Sequence, residues 1–423
     1  MGRHSALQRR WIVKGLLAGF AAFTWVSETS AAGPPTCRVI NQTQGRHFPP
    51  DTGQSLSDAI AEAAPDDELT ITGTCTGTYT LDKNLSLMGL VTRRYPTPTL
   101  DGGHAGSTLT VGGVTATLTN LTLTGGTGFA VGPYRYGGGL YNGGTVTLVH
   151  VNVVGNTASA PLGYGGGIFN AGTIVLESQS VVSGNGSGKN GGGIYNAGTA
   201  TVRGSSIVTG NFAEDGGGIY DSGTLSIDGS SITGNSASLR GGGGIFKVQT
   251  SSNGTATLTS ATISNNTAAN QGAGIYNGGV MVIQSSTVSG NTSRGGGGGI
   301  YNIATLALTA STVSQNMSGL GGGLRSDSAS ATTTVTASSV TGNTAFVNGG
   351  GVYLGTGGPD NAGTVNLQSG STVTGNNAFV SGGGIYNVPP RTSNLEPTGG
   401  FVNLGDTIVS GNTPDNCVGV AGC

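Results

Sequence analysis

The sequence predicts an all-β fold: a right-handed parallel β-helix of about 12 to 13 coils, each with three short strands, preceded by an N-terminal capping helix. Two recurrent patterns predict it. Ten copies of a glycine-rich motif begin at Gly137, Gly165, Gly191, Gly216, Gly242, Gly272, Gly297, Gly321, Gly349 and Gly382, spaced 24 to 33 residues apart. Downstream of each copy an Ile or Val stands three residues before an Asn, at Asn156, Asn185, Asn211, Asn235, Asn266, Asn291, Asn316, Asn343, Asn376 and Asn412. A fixed period of this length is the signature of a solenoid, whose units bury their apolar faces only against neighbouring copies. The third observation is compositional. With 82 glycines among 423 residues and 9% charged residues the chain could pass for low complexity, but its Ile and Val are held in register, as disordered chains do not require.

Strands follow from the spacing of apolar residues. Pairs such as Val146 and Leu148, Leu225 and Ile227, Met281 and Ile283, or Leu306 and Leu308 are two apart, which places both side chains on one face of a strand with Ser or Thr on the other. No 3.6-residue period appears within the repeats, and the glycine clusters disfavour helix there. Length variation falls mainly between the Asn and the next glycine motif, with some after Tyr353 and Tyr386, so the insertions belong at a corner. An Asn recurring at one corner of stacked coils is expected to form an internal amide ladder. The glycines supply positive φ and close backbone approach. A phosphate-cradling glycine loop is excluded, because no helix and no Lys or Ser/Thr at the required spacing follow.

The ends differ from the body. Residues 1–32 read as a signal peptide: Arg3, Arg9 and Arg10 precede an apolar run, and Ser30-Ala31-Ala32 offers a cleavage site. The arginine pair in "RRWIVK" leaves the twin-arginine route open beside the general secretory one. Removing this segment leaves 13 basic and 18 acidic residues, which argues against a nucleic-acid partner, and the apolar run is short for a bilayer span. The expected location is extracellular or at the cell surface. Residues 33–100 form the cap and first coils. There, Ser55 and Asp58 are arranged like a capping box, Leu56, Ile60 and Ala63 line one helix face, and Pro65-Asp66 stops the helix. Strands are expected at 68–72, 78–81 and 84–88. The repeats occupy 101–412, followed by a tail at 413–423. Of the three ways to pair four cysteines, the local pairs Cys37–Cys75 and Cys417–Cys423 fit export and would tie down each end. A four-cysteine metal site would need the two ends to meet.

Repeats of the form V-[ST]-G-N-x-A followed by G-G-G-I-Y resemble those of the polymorphic outer membrane proteins, surface adhesins with F-x-x-N and G-G-A-[ILV] motifs. The stretch "ISNNTAANQGAGIYN" (Ile263 to Asn277) matches best, and the resemblance covers about residues 130–412. Ile or Val stands here for the Phe, and Gly mostly for the Ala. The final residues do not read as the membrane barrel of that family. The cap region resembles that of pectin-lyase-like β-helices.

These resemblances imply adhesion, or binding of an extracellular polysaccharide or cell-surface glycan along a long face, without catalysis. An enzymatic alternative is a pectate-lyase-like lyase or glycoside hydrolase. The paired Asp, Gly-His-Gly and Arg-x-Lys strings of polygalacturonase-type enzymes are absent. The acidic concentration available to a lyase is Glu214, Asp215, Asp221 and Asp228 with Arg203 and Arg240. Calcium would enter only through that cluster; no cofactor or metal is otherwise implied. His47, His104 and His150 are scattered. For binding, the candidates are the residues next to each motif's aliphatic: Tyr141, Phe169, Tyr195, Tyr220, Phe246, Tyr276, Tyr301, Tyr353 and Tyr386, with Arg325 the one non-aromatic member. Strand alternation turns them outward. A minor alternative is ice binding by a row made of Thr145, Thr173, Thr199, Thr224, Thr255, Thr305 and Thr364, interrupted at Gly279 and in the 321–354 coil.

Overall fold

The computed structural model describes residues 37–159, 161–248, 254–355, 363–368, 370–388 and 400–423, so the expected signal peptide lies outside the described residues. The chain folds as an all-β parallel solenoid with one helix. Among the described residues the strands form four long stacked sheets of 15, 13, 13 and 9 strands, and a separate small sheet of three. One coil shows the plan: Ile219–Asp221, Thr224–Asp228, Ser231–Thr233 and Ser236–Ala237 each pair in parallel with the equivalent segments of the coils on either side. Three strands per coil were expected, and these coils have four. The fourth segment is only two residues long, as at Thr157–Ala158 or Thr344–Ala345, too short to show a period-two pattern.

The core is a set of columns. The aliphatic after each glycine motif, from Leu140 through Ile219 to Ile385, is fully buried, as is the Val or Ile before each Asn from Val153 to Val373. Strands pair residue for residue, so Ile194 lies over Ile219 and Val208 over Ile232.

The expected amide ladder is present. Asn211 donates its side-chain N–H to Oδ1 of Asn235 at 3.0 Å, its backbone N–H to the same oxygen at 3.0 Å, and its second amide hydrogen to the carbonyl of Val182 at 3.0 Å. The pattern runs without a break from Asn156 to Asn412. Every polar atom taken out of water there finds a partner, as burial demands. The ladder also explains the third glycine of the motif. A Cβ on Gly193 would lie 2.6 Å from the Gly218 carbonyl oxygen and 3.0 Å from the Asn211 amide nitrogen. At the middle glycine the approach is closer still, since a Cβ on Gly192 would lie 2.3 Å from the Phe212 carbonyl oxygen, yet one copy carries a buried Ala273 in that place.

At the N-terminal end the helix Gln54–Glu62 buries Leu56, Ala59 and Ile60 against the first strands. Its cap differs from the sequence expectation. Ser55 lies inside the helix, with its hydroxyl turned to the Cys37 carbonyl, and the Asp51 carboxylate accepts the N–H groups of Gly53 and Ser55 at 2.8 and 2.7 Å. Disulfides join Cys37 to Cys75 and Cys417 to Cys423.

Two substitutions test this frame. Asn211→Ala strands the donors of the preceding rung in a dry site and should lower unfolding stability by about 2 to 4 kcal/mol, and Gly193→Ala by about 1 to 3 kcal/mol. Both are read from denaturant midpoints, and a change below ~0.5 kcal/mol in either would contradict the packing described.

Candidate aromatic row and buried charge pair

Alternation along each Ile-Tyr-Asn segment sends the aliphatic inward, the aromatic outward and the third residue inward again. The outward aromatics form one stack. From Tyr141 to Tyr301 successive ring centroids are 4.3 to 5.4 Å apart with interplanar angles of 2 to 25°. Arg325 continues the stack, its guanidinium 5.4 Å from the Tyr301 ring and 5.2 Å from Tyr353, and Tyr353 stacks on Tyr386 at 5.5 Å. The Asp327 carboxylate accepts from Arg325 at 2.5 Å and from the Tyr301 hydroxyl at 2.7 Å, so the cation is neutralised in place.

The stack has a chemical consequence: each interior ring spends both faces on its neighbours, and only edges and hydroxyls point outward. Phe246, Tyr301, Tyr353 and Tyr220 are 3, 5, 7 and 8% exposed, and the other rings are half-buried. Each pair contributes about 0.5 to 1.5 kcal/mol beyond the area it buries. Burial pushes the phenol of Tyr220 up to about 12, and burial followed by the adjacent Asp327 carboxylate raises Tyr301 further. The folded state therefore holds these protons more tightly than the unfolded chain. The sign follows from linkage: stability is full below pH 10 and falls as pH rises through 12. Unfolding midpoints should drop over that window and drop less in Tyr220→Phe; an identical profile in the variant would contradict the assignment.

The inward third position carries a second ladder that the sequence reading missed. Asn142 donates to Asn170 at 2.7 Å, Asn170 to Asn196 at 2.8 Å, and Asn196 to Asp221 Oδ1 at 2.7 Å. Asp221 can accept but has no amide to pass onward. The next coil answers with Lys247, whose Nζ lies 2.8 Å from Asp221 Oδ2 and donates to the Gly223 carbonyl at 2.6 Å. Both residues are at most 1% exposed. Asn277 then restarts the ladder by donating to Asn302 at 2.8 Å. Burial pushes the Asp221 carboxyl up, and Lys247 opposes that shift. The signal was present in the sequence: the third position reads Asn, Asn, Asn, Asp, Lys, Asn, Asn over successive coils.

The acidic candidates are not brought together. Glu214 pairs with Lys189 at 2.7 Å, Asp215 with Arg240 at 2.6 Å, and Arg203 with Glu177 at 2.5 Å. Asp221 is fully buried against Lys247, and Asp228 sits exposed at the far end of the wide strand Thr224–Asp228. Among the described residues no three His, Cys, Asp or Glu side chains are grouped to hold a metal. The threonine row is interrupted by Val280, but the 321–354 coil does supply a member, Thr332.

Residues 285–303 match the family model of the Chlamydia polymorphic membrane protein repeat. That segment holds Val288, Asn291, the Gly297 motif and Ile300-Tyr301-Asn302. No curated protein and no solved structure matches the chain. No helix among the described residues is long and apolar enough to cross a membrane.

The buried pair makes a sharp prediction. Asp221→Asn or Lys247→Asn alone leaves an uncompensated buried charge and should cost about 3 to 5 kcal/mol. The double variant rebuilds an unbroken amide ladder and should unfold within ~1 kcal/mol of the parent, or later. Additive losses in the double-mutant cycle would contradict the ladder equivalence.

Proposed function

We propose that this chain is an exported, non-enzymatic surface protein whose solenoid serves as a rigid scaffold for adhesion or glycan binding along one long side. The repeat match at 285–303, the resemblance to adhesin repeats and the two disulfides support an extracellular setting.

One observation carries the reading: at the insertion corner beside the aromatic row, two adjacent coils repeat Ala-Phe-Val and leave its Phe and Val in solvent. Phe346 and Val347 are 47 and 42% exposed, and Phe379 and Val380 are 64 and 62% exposed. The two Phe rings meet edge to face at 5.7 Å. A contiguous apolar patch maintained in water marks a contact surface, whereas the aromatic row contributes hydroxyl edges beside it.

The test separates contact from scaffold. Phe346→Ser with Phe379→Ser should reduce retention of the purified protein on cells or immobilised glycans by about ten-fold with an unchanged melting temperature. Tyr220→Ala should lower the melting temperature first. Retention unaffected by the double variant, or release of new reducing ends from an acidic polysaccharide by the parent, would contradict the proposal.

A further inference from the structure

The aromatic stack has an end. Towards the N-terminus the outward positions of the same sheet change from Tyr141 to Thr110 and then Thr80, which pair in register. Two threonines are much shorter than two rings, so the outer surface steps down there. Over this step hangs an insertion unlike any other among the described residues: Phe129–Val131 pairs antiparallel with Tyr134–Tyr136, which in turn pairs parallel with Leu162–Tyr164. Gly132, at φ +55°, makes the turn.

The hairpin is fixed rather than loose. The Ser107 hydroxyl reaches the carbonyl oxygens of Tyr136 and Gly137 at 3.1 and 2.5 Å, and Thr127 donates its N–H to the Gly106 carbonyl at 2.7 Å. Tyr134, Tyr136 and Tyr164 pack together at 5.6 to 6.2 Å, and Tyr136 meets Phe169 edge-on at 4.8 Å. Between hairpin and sheet lies a cavity of about 510 Å³, within the range of small-ligand sites.

Its lining is selective. Thr78, Thr80 and Thr110 offer hydroxyls from the floor, and Phe129, 42% exposed and 5.2 Å from Tyr141, offers a ring face that the stack does not use. Arg135 is placed at the wall. One of its terminal nitrogens is held by the carbonyls of Tyr134 and Gly132 at 3.1 and 3.4 Å, and among the described residues it has no carboxylate within ion-pairing distance. The other ionisable lining residue is His104, and no carboxylate lines the cavity, although the chain as a whole carries a net charge of −2.

We propose that this cavity is a binding site for a single anionic sugar residue, its ring against Phe129, its hydroxyls on the threonine floor and its carboxylate or sulfate at Arg135. A ring face beside hydroxyl donors suits a pyranose, and an unpaired guanidinium selects an anion. The proposal rests on the reading of the chain as a glycan-binding surface protein, but names a site separate from the Phe346–Phe379 patch.

The test uses the full chain titrated by calorimetry or saturation-transfer NMR with glucuronate, N-acetylneuraminate, glucose 6-sulfate and, as control, glucose. At least one anionic sugar should bind saturably with Kd on the order of 1 mM. Arg135→Gln should weaken that binding at least about ten-fold and Phe129→Ala several-fold. Both positions are on the outside of the fold, and unchanged melting temperatures would confirm that the variants fold. Which sugar responds identifies carboxylate or sulfate as the recognised group. Absence of saturable binding to all three anionic sugars, glucose binding as tightly, or binding unchanged in Arg135→Gln would overturn the assignment. Retention on cells measured on Arg135→Gln separates the two claims, because the patch proposal requires it to persist.

Discussion

One buried asparagine per coil sets the terms for everything else in this solenoid. Its Oδ1 takes two N–H groups from the preceding rung, and its own amide reaches both the following rung and the carbonyl of the core valine or isoleucine in the preceding coil. A rung displaced along the strand would leave several donors without acceptors in a dry interior, at a cost far above that of a lost surface contact. The coil-to-coil register is therefore fixed at this corner, and the chain between one Asn and the next glycine motif is free to vary in length.

A fixed register puts like residues on top of like, which suits aliphatics, amides and rings and penalises charge. Two places where charge enters the columns show how the penalty is met. Asp221 accepts and Lys247 donates in adjacent coils, so together they reproduce the directionality of two asparagines. Arg325 offers a flat cation to the rings above and below, with Asp327 as its counter-charge. Interior and stack positions are committed to structure in this way, whereas the exposed Phe346–Val347 and Phe379–Val380 pairs of the corner and the hairpin around Arg135 lie on the insertions.

How much of this was legible in the sequence follows the same division. The amide ladder could be read because a Val or Ile three residues before an Asn recurs in every copy and only a stacked geometry satisfies that many buried amides. The aromatic row could be read from alternation, but its face-to-face stacking, which removes the rings from use as platforms, depends on the coil spacing. The second ladder is written in the residue after each aromatic, but it is masked when Asp221 is grouped with its chain neighbours Glu214, Asp215 and Asp228 as an acidic cluster instead of with the third positions of adjacent coils. The hairpin at Phe129–Tyr136 was not legible, since an insertion without copies offers no period to follow. The two-residue strands were equally hidden, being too short for a pattern.

The most direct test of the central claim is hydrogen exchange of the asparagine side-chain amides, followed by NMR in the folded protein. If the ladder sets the register, the Nδ2 hydrogens from Asn185 to Asn376 exchange slowly and as a group, at rates that track global unfolding. Exposed amides such as Asn403 exchange fast. Rapid exchange at interior rungs such as Asn235 and Asn266, in a protein whose backbone amides remain protected, would show that the stacking of strands and not the asparagines holds the coils in place.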